Sequence, residues 1–190
     1  ILIGSISGLL NRIPWWLMIA AVSFAGFKLS KKPATGLLYG AMLFLVGMIG
    51  LWDLMNETLS IVLASVAISL AIGLPVGILI SGSDRANFIL RPILDTMQTM
   101  PVFVYLIPAV LFFGLGKAPA VIATTIYAIV PVIRLTSHGI RQVDPEVVEA
   151  ARSFGSTKWQ CLFTVQIPQA LPTIRPGVPQ TLLMARAMVV

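Results

Sequence analysis

The sequence predicts an all-α, polytopic transmembrane helical bundle of about six spans, the last incomplete. Three observations carry this. Of 190 residues, 57% are hydrophobic and only 11% charged, where a soluble domain carries about 25% charged residues. Mean hydropathy is +0.95, and a water-exposed surface built from so few charges would consist of large apolar patches. Apolar stretches approaching the roughly 20 residues needed to cross a bilayer recur along the chain.

The elements follow in order. A first span is expected over about 13–29, with Trp15 and Trp16 at its start, where indoles suit the membrane interface. A basic turn with Lys28, Lys31, Lys32 and Pro33 leads to a second span over about 34–52. Asp53, Asn56 and Glu57 form the next polar turn, and a third span covers about 58–81, with Gly73, Pro75 and Gly77 inside it. A polar turn with Asp84, Arg85 and Arg91 precedes a fourth span over about 93–115, broken by Pro101 and Pro108. Gly114, Gly116, Lys117 and Pro119 make a tight turn; a fifth span over about 120–135 contains Pro131. A polar loop over 136–172 then leads to a sixth span from about Thr173 that is cut off at Val190. By domain, 1–56 reads as accessory N-terminal transmembrane helices and 57–190 as the core that carries the loop. No internal repeat is visible.

The basic residues fix an orientation. With the 136–172 loop in the cytoplasm, the inside holds Lys28, Lys31, Lys32, Arg85, Arg91, Arg141, Arg152 and Lys158, with Arg134 and Arg175 at its borders. The outside holds Arg12 and Lys117. That bias has the sign of the positive-inside rule, and it places the N-terminus outside. Arg186 falls within the last apolar run. The net charge of +6 is therefore membrane topology. Nucleic-acid binding is excluded, because no basic face gathers on one folded domain.

One cysteine, Cys161, and one histidine, His138, exclude an internal disulfide and a Cys/His metal site. The phosphate loop G-x-x-x-x-G-K-[ST] is absent, so ATP hydrolysis is not expected of this chain. The opening ILIGSISGLLNR lacks the basic start and cleavage site of a signal peptide. Both ends read as cuts in a longer protein.

The polar loop is the most informative stretch. Asp144 is placed to cap a helix, with Pro145 at its first position and Glu146 in its first turn. Val147, Val148, Ala150 and Ala151 continue that helix with a small-residue face, and Gly155 can take the left-handed conformation that ends it. Ser156-Thr157 can cap a second short helix through Lys158 to Val165, ended by Pro168. Phe154, Trp159 and Phe163 are expected to be exposed. A plain connector seldom needs about 35 residues.

Glu149-Ala150-Ala151, Gly155, Val165 and Ile167-Pro168 are spaced as EAA-x3-G-x9-I-x-L-P, with Val for Ile and Ile for Leu. The loop therefore resembles the coupling loop of ABC importer permeases. The stretch DTMQTMPVFVYLIP resembles the glycine betaine/proline betaine branch of that family, and the similarity runs from about Glu57 to Gln180. The resemblance implies a type I importer permease fold and a permease subunit in a bacterial inner membrane. It implies two ATPase subunits that bind ATP and magnesium, a periplasmic or lipid-anchored substrate-binding protein, a permease homodimer in membrane lipid, and no cofactor or metal in this chain. It casts Glu149, Ala150, Ala151, Gly155, Val165, Ile167 and Pro168 as the ATPase-coupling residues. Pro179 and Arg186 depart from the family pattern in the last span. Choline, carnitine or taurine as cargo remains open, as does a gradient-driven carrier, which would need a charged site deep in the bundle.

Gln98, Thr99, Pro101, Phe103 and Tyr105 form a second candidate site. Polar groups at membrane depth face protein or a water-filled path, so this kinked segment is expected to line a translocation pathway. Phe103 and Tyr105 could offer ring faces to a quaternary ammonium; helix–helix hydrogen bonding is the equal alternative. Asp95 is expected to pair with Arg91, one helical turn away.

Overall fold

The computed structural model describes residues 2–189, and every regular element among them is helical. Ile1 and Val190, the outermost residues of the expected first and last segments, lie outside the described residues. Packing of the backbone divides the chain into two compact units, residues 1–64 and 65–190.

The first unit holds α1 (Leu2–Arg12), α2 (Trp15–Ser30), α3 (Pro33–Met48) and the start of α4 (Trp52–Ser81). The chain turns by 92° between α1 and α2 at Ile13-Pro14. α2 and α3 form a helical hairpin, closed by Lys31 in the left-handed region (φ 54°) and by Pro33 in the first turn of α3. Gly26, Gly36 and Gly40 line its seam. A side chain at Gly36 would lie 2.6 Å from the Ser23 carbonyl, and one at Gly40 would collide with the Ser23 hydroxyl.

The second unit holds the rest of α4, then α5 (Asp84–Thr99), α6 (Phe103–Phe113), α7 (Lys117–Arg141), α8 (Pro145–Ser153), α9 (Lys158–Cys161), a π-helical turn (Leu162–Gln166), α10 (Ile167–Ile174) and α11 (Gly177–Val189). α7 is its axis. Val130, Val132, Ala123 and Thr136 are almost wholly enclosed.

α4 and α7 run parallel along a stripe of small residues. Ser65, Ser69, Gly73 and Gly77 recur every fourth position, so they share one face of α4. The Ser65 and Ser69 hydroxyls donate to the carbonyls of Val121 (3.4 Å) and Thr125 (3.3 Å). A Cβ on Gly73 would sit 3.0 Å from Val132 Cγ1, and one on Gly77 only 2.6 Å from Thr136 Cβ and 2.9 Å from the Ile133 carbonyl. Lipid removes the hydrophobic drive between helices, so close backbone approach through small residues supplies the attraction instead. Farther along, Ile80, Leu94, Val130 and Ile133 join α4, α5 and α7, and Ala109, Ala123 and Met188 join α6, α7 and α11.

Several expectations need revising. The stretch 93–115 is broken at Pro101 as expected, with α5 and α6 meeting at 89°, but it is not broken at Pro108. Pro101 forces the preceding residue out of the helical region, and Met100 is extended (ψ 136°). Pro75, Pro92, Pro108 and Pro131 stay inside helices. α7 runs on to Arg141, so the loop begins later than position 136, and Thr136, Ser137, Gly139 and Ile140 are buried in it. The final segment is α10 and α11, separated at Arg175-Pro176. Pro179 lies in the first turn of α11, where no intrahelical N–H is required, and Arg186 is exposed.

Among the described residues α4 and α7 are each long and apolar enough to cross a membrane, and the count rises to four if each bent pair is one span. α3, with 16 residues, is about 24 Å long against a hydrocarbon core of roughly 30 Å.

Replacing Gly77 with Val should destabilise the fold by ~1–3 kcal/mol, because the seam is overpacked. Thermal unfolding in detergent is the measurement. Gly82→Ala, whose added carbon would meet only the Leu79 carbonyl at 3.7 Å, should leave the midpoint nearly unchanged.

Candidate functional site

The segment from Asp144 to Pro168 is built from local signals. The Asp144 carboxylate accepts from the Glu146 amide (2.9 Å) and caps α8, with Pro145 in the first turn. α8 ends in a Schellman motif: Gly155 N–H donates to the Arg152 carbonyl (2.9 Å) and Ser156 N–H to that of Ala151 (3.2 Å). Gly155 has φ 87°, and a side chain there would touch nothing within 4 Å. Glycine is required by the backbone angle alone. Thr157 then caps α9 in a capping box with Gln160: Gln160 N–H donates to Thr157 Oγ1, and Thr157 N–H to Gln160 Oε1 (2.9 Å). The pattern T-x-x-Q was readable in the sequence, and Gln160 was missed.

Pro168 does not end the second helix. It sits in the first turn of α10, after the π turn in which Ile167 N–H reaches back to the Leu162 carbonyl. In a continuous α-helix the Pro168 ring would press on the carbonyl of Thr164. The wider turn takes up that conflict, and the chain continues instead of stopping.

The loop has two faces. Its inner face packs Val148, Leu162, Ile167 and Ile174 against Ile140, Val143 and Ala170. Cys161, expected as a neutral loop residue, is buried at 2% exposure. The outer face carries Glu149, Ala150 and Gly155, all exposed, with Ala151 half-buried beside them. Phe154 is 91% exposed, and Trp159 stacks on Phe163 with centroids 6.1 Å apart. Val165 and Ile167 are half-buried and Pro168 is exposed. The motif thus divides into outward small and acidic residues and half-buried Val165 and Ile167, with Pro168 exposed beyond them.

Beside this surface lies a cleft of about 700 Å³ between the α4–α5 turn and the loop, lined by Ser81, Asp84, Arg141, Glu149, Arg152 and Trp159 among others. Arg141 bridges its walls: it forms an ion pair with Asp84 and donates to the Ser81 carbonyl (3.2 Å). Asp95 pairs with Arg134 on α7, not with Arg91 as expected. Neither long-range pair has a sequence signal.

The second candidate site surrounds the α5–α6 break. Gln98 is half-buried, Thr99 and Pro101 are exposed, and the Thr99 hydroxyl donates to the Thr96 carbonyl (2.9 Å). Phe103 is exposed. The Tyr105 hydroxyl donates across the break to the Met97 carbonyl (2.7 Å), and its ring leans on Tyr127 at 5.7 Å. Tyr105 therefore braces the bend, which corresponds to the packing alternative for that residue. Among the described residues, no group of three or more His, Cys, Asp or Glu could hold a metal ion.

Residues 69–185 match the family described as binding-protein-dependent transport system inner membrane component. The chain belongs to this family. It is 45% identical over 186 residues to a glycine betaine/carnitine transport permease of Listeria monocytogenes, covering 95% of this chain and 65% of that protein. It is 51% identical over 148 residues to the glycine betaine/proline betaine transport system permease of Escherichia coli, covering 78% and 42% respectively. With a glycine betaine permease of Bacillus subtilis the identity is 42%, covering 94% and 58%. The chain thus spans between 42% and 65% of the length of these relatives. A solved amino acid ABC transporter has a similar fold, with TM-score 0.57 and 27% identity over 70% of this chain and 66% of that one. The type I importer permease fold expected from the loop is that of the family.

Thr157→Ala should remove the capping box and cost about 1 kcal/mol locally. Hydrogen exchange of the amides of residues 158–166 should quicken, with little change in α7. Gly155→Ala should cost ~1 kcal/mol through its left-handed angle alone, read as a fall in thermal midpoint.

Proposed function

We propose that this chain is the membrane-spanning permease subunit of an ABC importer for glycine betaine and related N-methylated osmoprotectants. The observation that carries the proposal is the loop with two faces. Glu149 and Ala150 on α8, and Gly155 just past its end, are presented outward, while the other face of that helix is bolted to the end of α7. Small residues allow a partner's backbone to approach closely, and the carboxylate adds a directed acceptor. In this reading ATPase subunits hold ATP and magnesium and receive the outer face in a groove. Their closure pushes the loop; the anchors Val148, Leu162 and Ile167 transmit the push to α7 and α10. Alternating access follows, in a permease dimer served by a substrate-binding protein. The coupling set is Glu149, Ala150 and Gly155 outward with Ala151 half-buried beside them, Ile167 fixing the loop to the bundle, Val165 half-buried near it and Pro168 exposed at the start of α10.

The cargo reading rests on the relatives. Those cited above are named for glycine betaine, proline betaine or carnitine, and another, 41% identical, is a trimethylamine N-oxide permease of Ruegeria pomeroyi. These compounds share a fully substituted, methylated nitrogen with a nearby negative oxygen. Such a cation offers no N–H, so a wall of aromatic faces and few hydrogen-bonding groups suits its passage. Exposed Phe103 and the neighbouring Gln98, Thr99 and Pro101 at the α5–α6 bend provide such a wall.

The test is reconstitution of the full-length chain with its ATPase and binding protein. ATP-driven glycine betaine uptake should fall at least about tenfold in Glu149→Lys and in Gly155→Asp, the effect of losing roughly 1.4 kcal/mol at an interface. Unchanged uptake in both would overturn the coupling role. Uptake of another solute in preference to every N-methylated one would overturn the cargo.

A further inference from the structure

A second cleft, of about 510 Å³, opens between α5 and α7 and is lined by Arg91, Arg134, Arg141, Asn87, Ser137 and His138 among others. We infer that it is a binding site for a phosphate-bearing anion. This cleft shares Arg141 with the one beside the coupling loop but includes no residue of the coupling motif or of the bend at Pro101.

The charges are arranged for it. Arg134 is held by Asp95 and Arg141 by Asp84. A guanidinium has five N–H donors, so each pair orients its arginine and leaves other donors available. Arg91 has no ion-pair partner among the described residues. It lies exposed at the cleft, an uncompensated positive charge beside two oriented ones. Ser137 is 5% exposed and lines the same cleft, yet its hydroxyl has no hydrogen-bond partner. A buried polar group without a partner is costly, and a ligand oxygen in the cleft would supply one once a χ1 rotation turns the enclosed Ser137 hydroxyl toward it. The half-buried Asn87 amide adds donors on the α5 side.

Several donors from two helices suit a phosphate, whose oxygens accept from separate guanidinium forks. A carboxylate has only two oxygens to share among them. The phosphate can come from a lipid headgroup or from solution. Phe88, Ile89 and Ile93, exposed on α5 around Arg91, offer an apolar shoulder for acyl chains and favour the lipid source.

The experiment uses the full transporter in nanodiscs, reads retained ligand rather than uptake, and so stands or falls separately from the importer reading. In mixed phosphatidylglycerol/phosphatidylcholine discs, native mass spectrometry should show phosphatidylglycerol retained in preference. Arg91→Gln should weaken that preference roughly tenfold, as expected for loss of one charge-assisted contact. Ser137→Ala should weaken it less, and it provides a minimally disruptive variant if Arg91→Gln fails to fold. Inorganic phosphate is titrated separately into phosphatidylcholine discs. Saturable binding that depends on Arg91 and is not matched by acetate would support the site and assign the source to free phosphate. Absence of both lipid preference and phosphate binding would overturn the proposal. So would a preference that neither substitution changes, or equal binding of acetate.

Discussion

The close approach of α4 and α7 is the constraint on which the second unit depends. Two helices in lipid gain little by hiding apolar side chains from one another, since hydrocarbon is as good a neighbour. Ser65, Ser69, Gly73 and Gly77 replace that missing drive with direct backbone contact, and the two serines add hydrogen bonds to Val121 and Thr125. The stripe also sets the register. Any slip would bring a larger side chain of α4 against Val132 or Thr136, where an added carbon already has no room. With α7 fixed in this way, α5, α6, α10 and α11 pack on its remaining faces.

α7 carries that rigidity out to the polar loop. It remains helical to Arg141, and its last buried residues, Gly139 and Ile140, form the floor on which α8, the π turn and α10 rest. A push on the outer face of α8 therefore meets a packed apolar base, not a flexible tether. Arg141 joins this base to the α4–α5 turn through Asp84 and the Ser81 carbonyl. The loop is thereby linked to α4 as well as to α7.

The bend at Pro101 follows from a different balance. Proline denies Met100 the helical region, and the chain turns through 89°. Such a break leaves carbonyls without intrahelical partners, a cost that water or neighbouring groups must offset at membrane depth. The Tyr105 hydroxyl satisfies one of them, at Met97. A residue that sequence reasoning offers to a ligand is thus already engaged in holding the bend, while Phe103 beside it remains open.

Composition, the spacing of basic residues and local cap signals were legible in the sequence by themselves, because each depends on neighbours within one helical turn or on the difference between lipid and water. They determined the all-helical membrane class, the capping role of Asp144, the left-handed Gly155 and the outward exposure of Phe154, Trp159 and Phe163. The capping box at Thr157 and Gln160 was equally local and was overlooked. The tertiary structure alone decided the rest. The continuation of α6 through Pro108, the pairing of Asp95 with Arg134 rather than Arg91, the buried Cys161 and the continuation through Pro168 all turn on contacts between residues distant in sequence or on competition between turns. Proline's effect depends on which neighbour can satisfy the carbonyl it frees, and a charge pairs with the partner that packing brings near; neither is encoded in spacing along the chain.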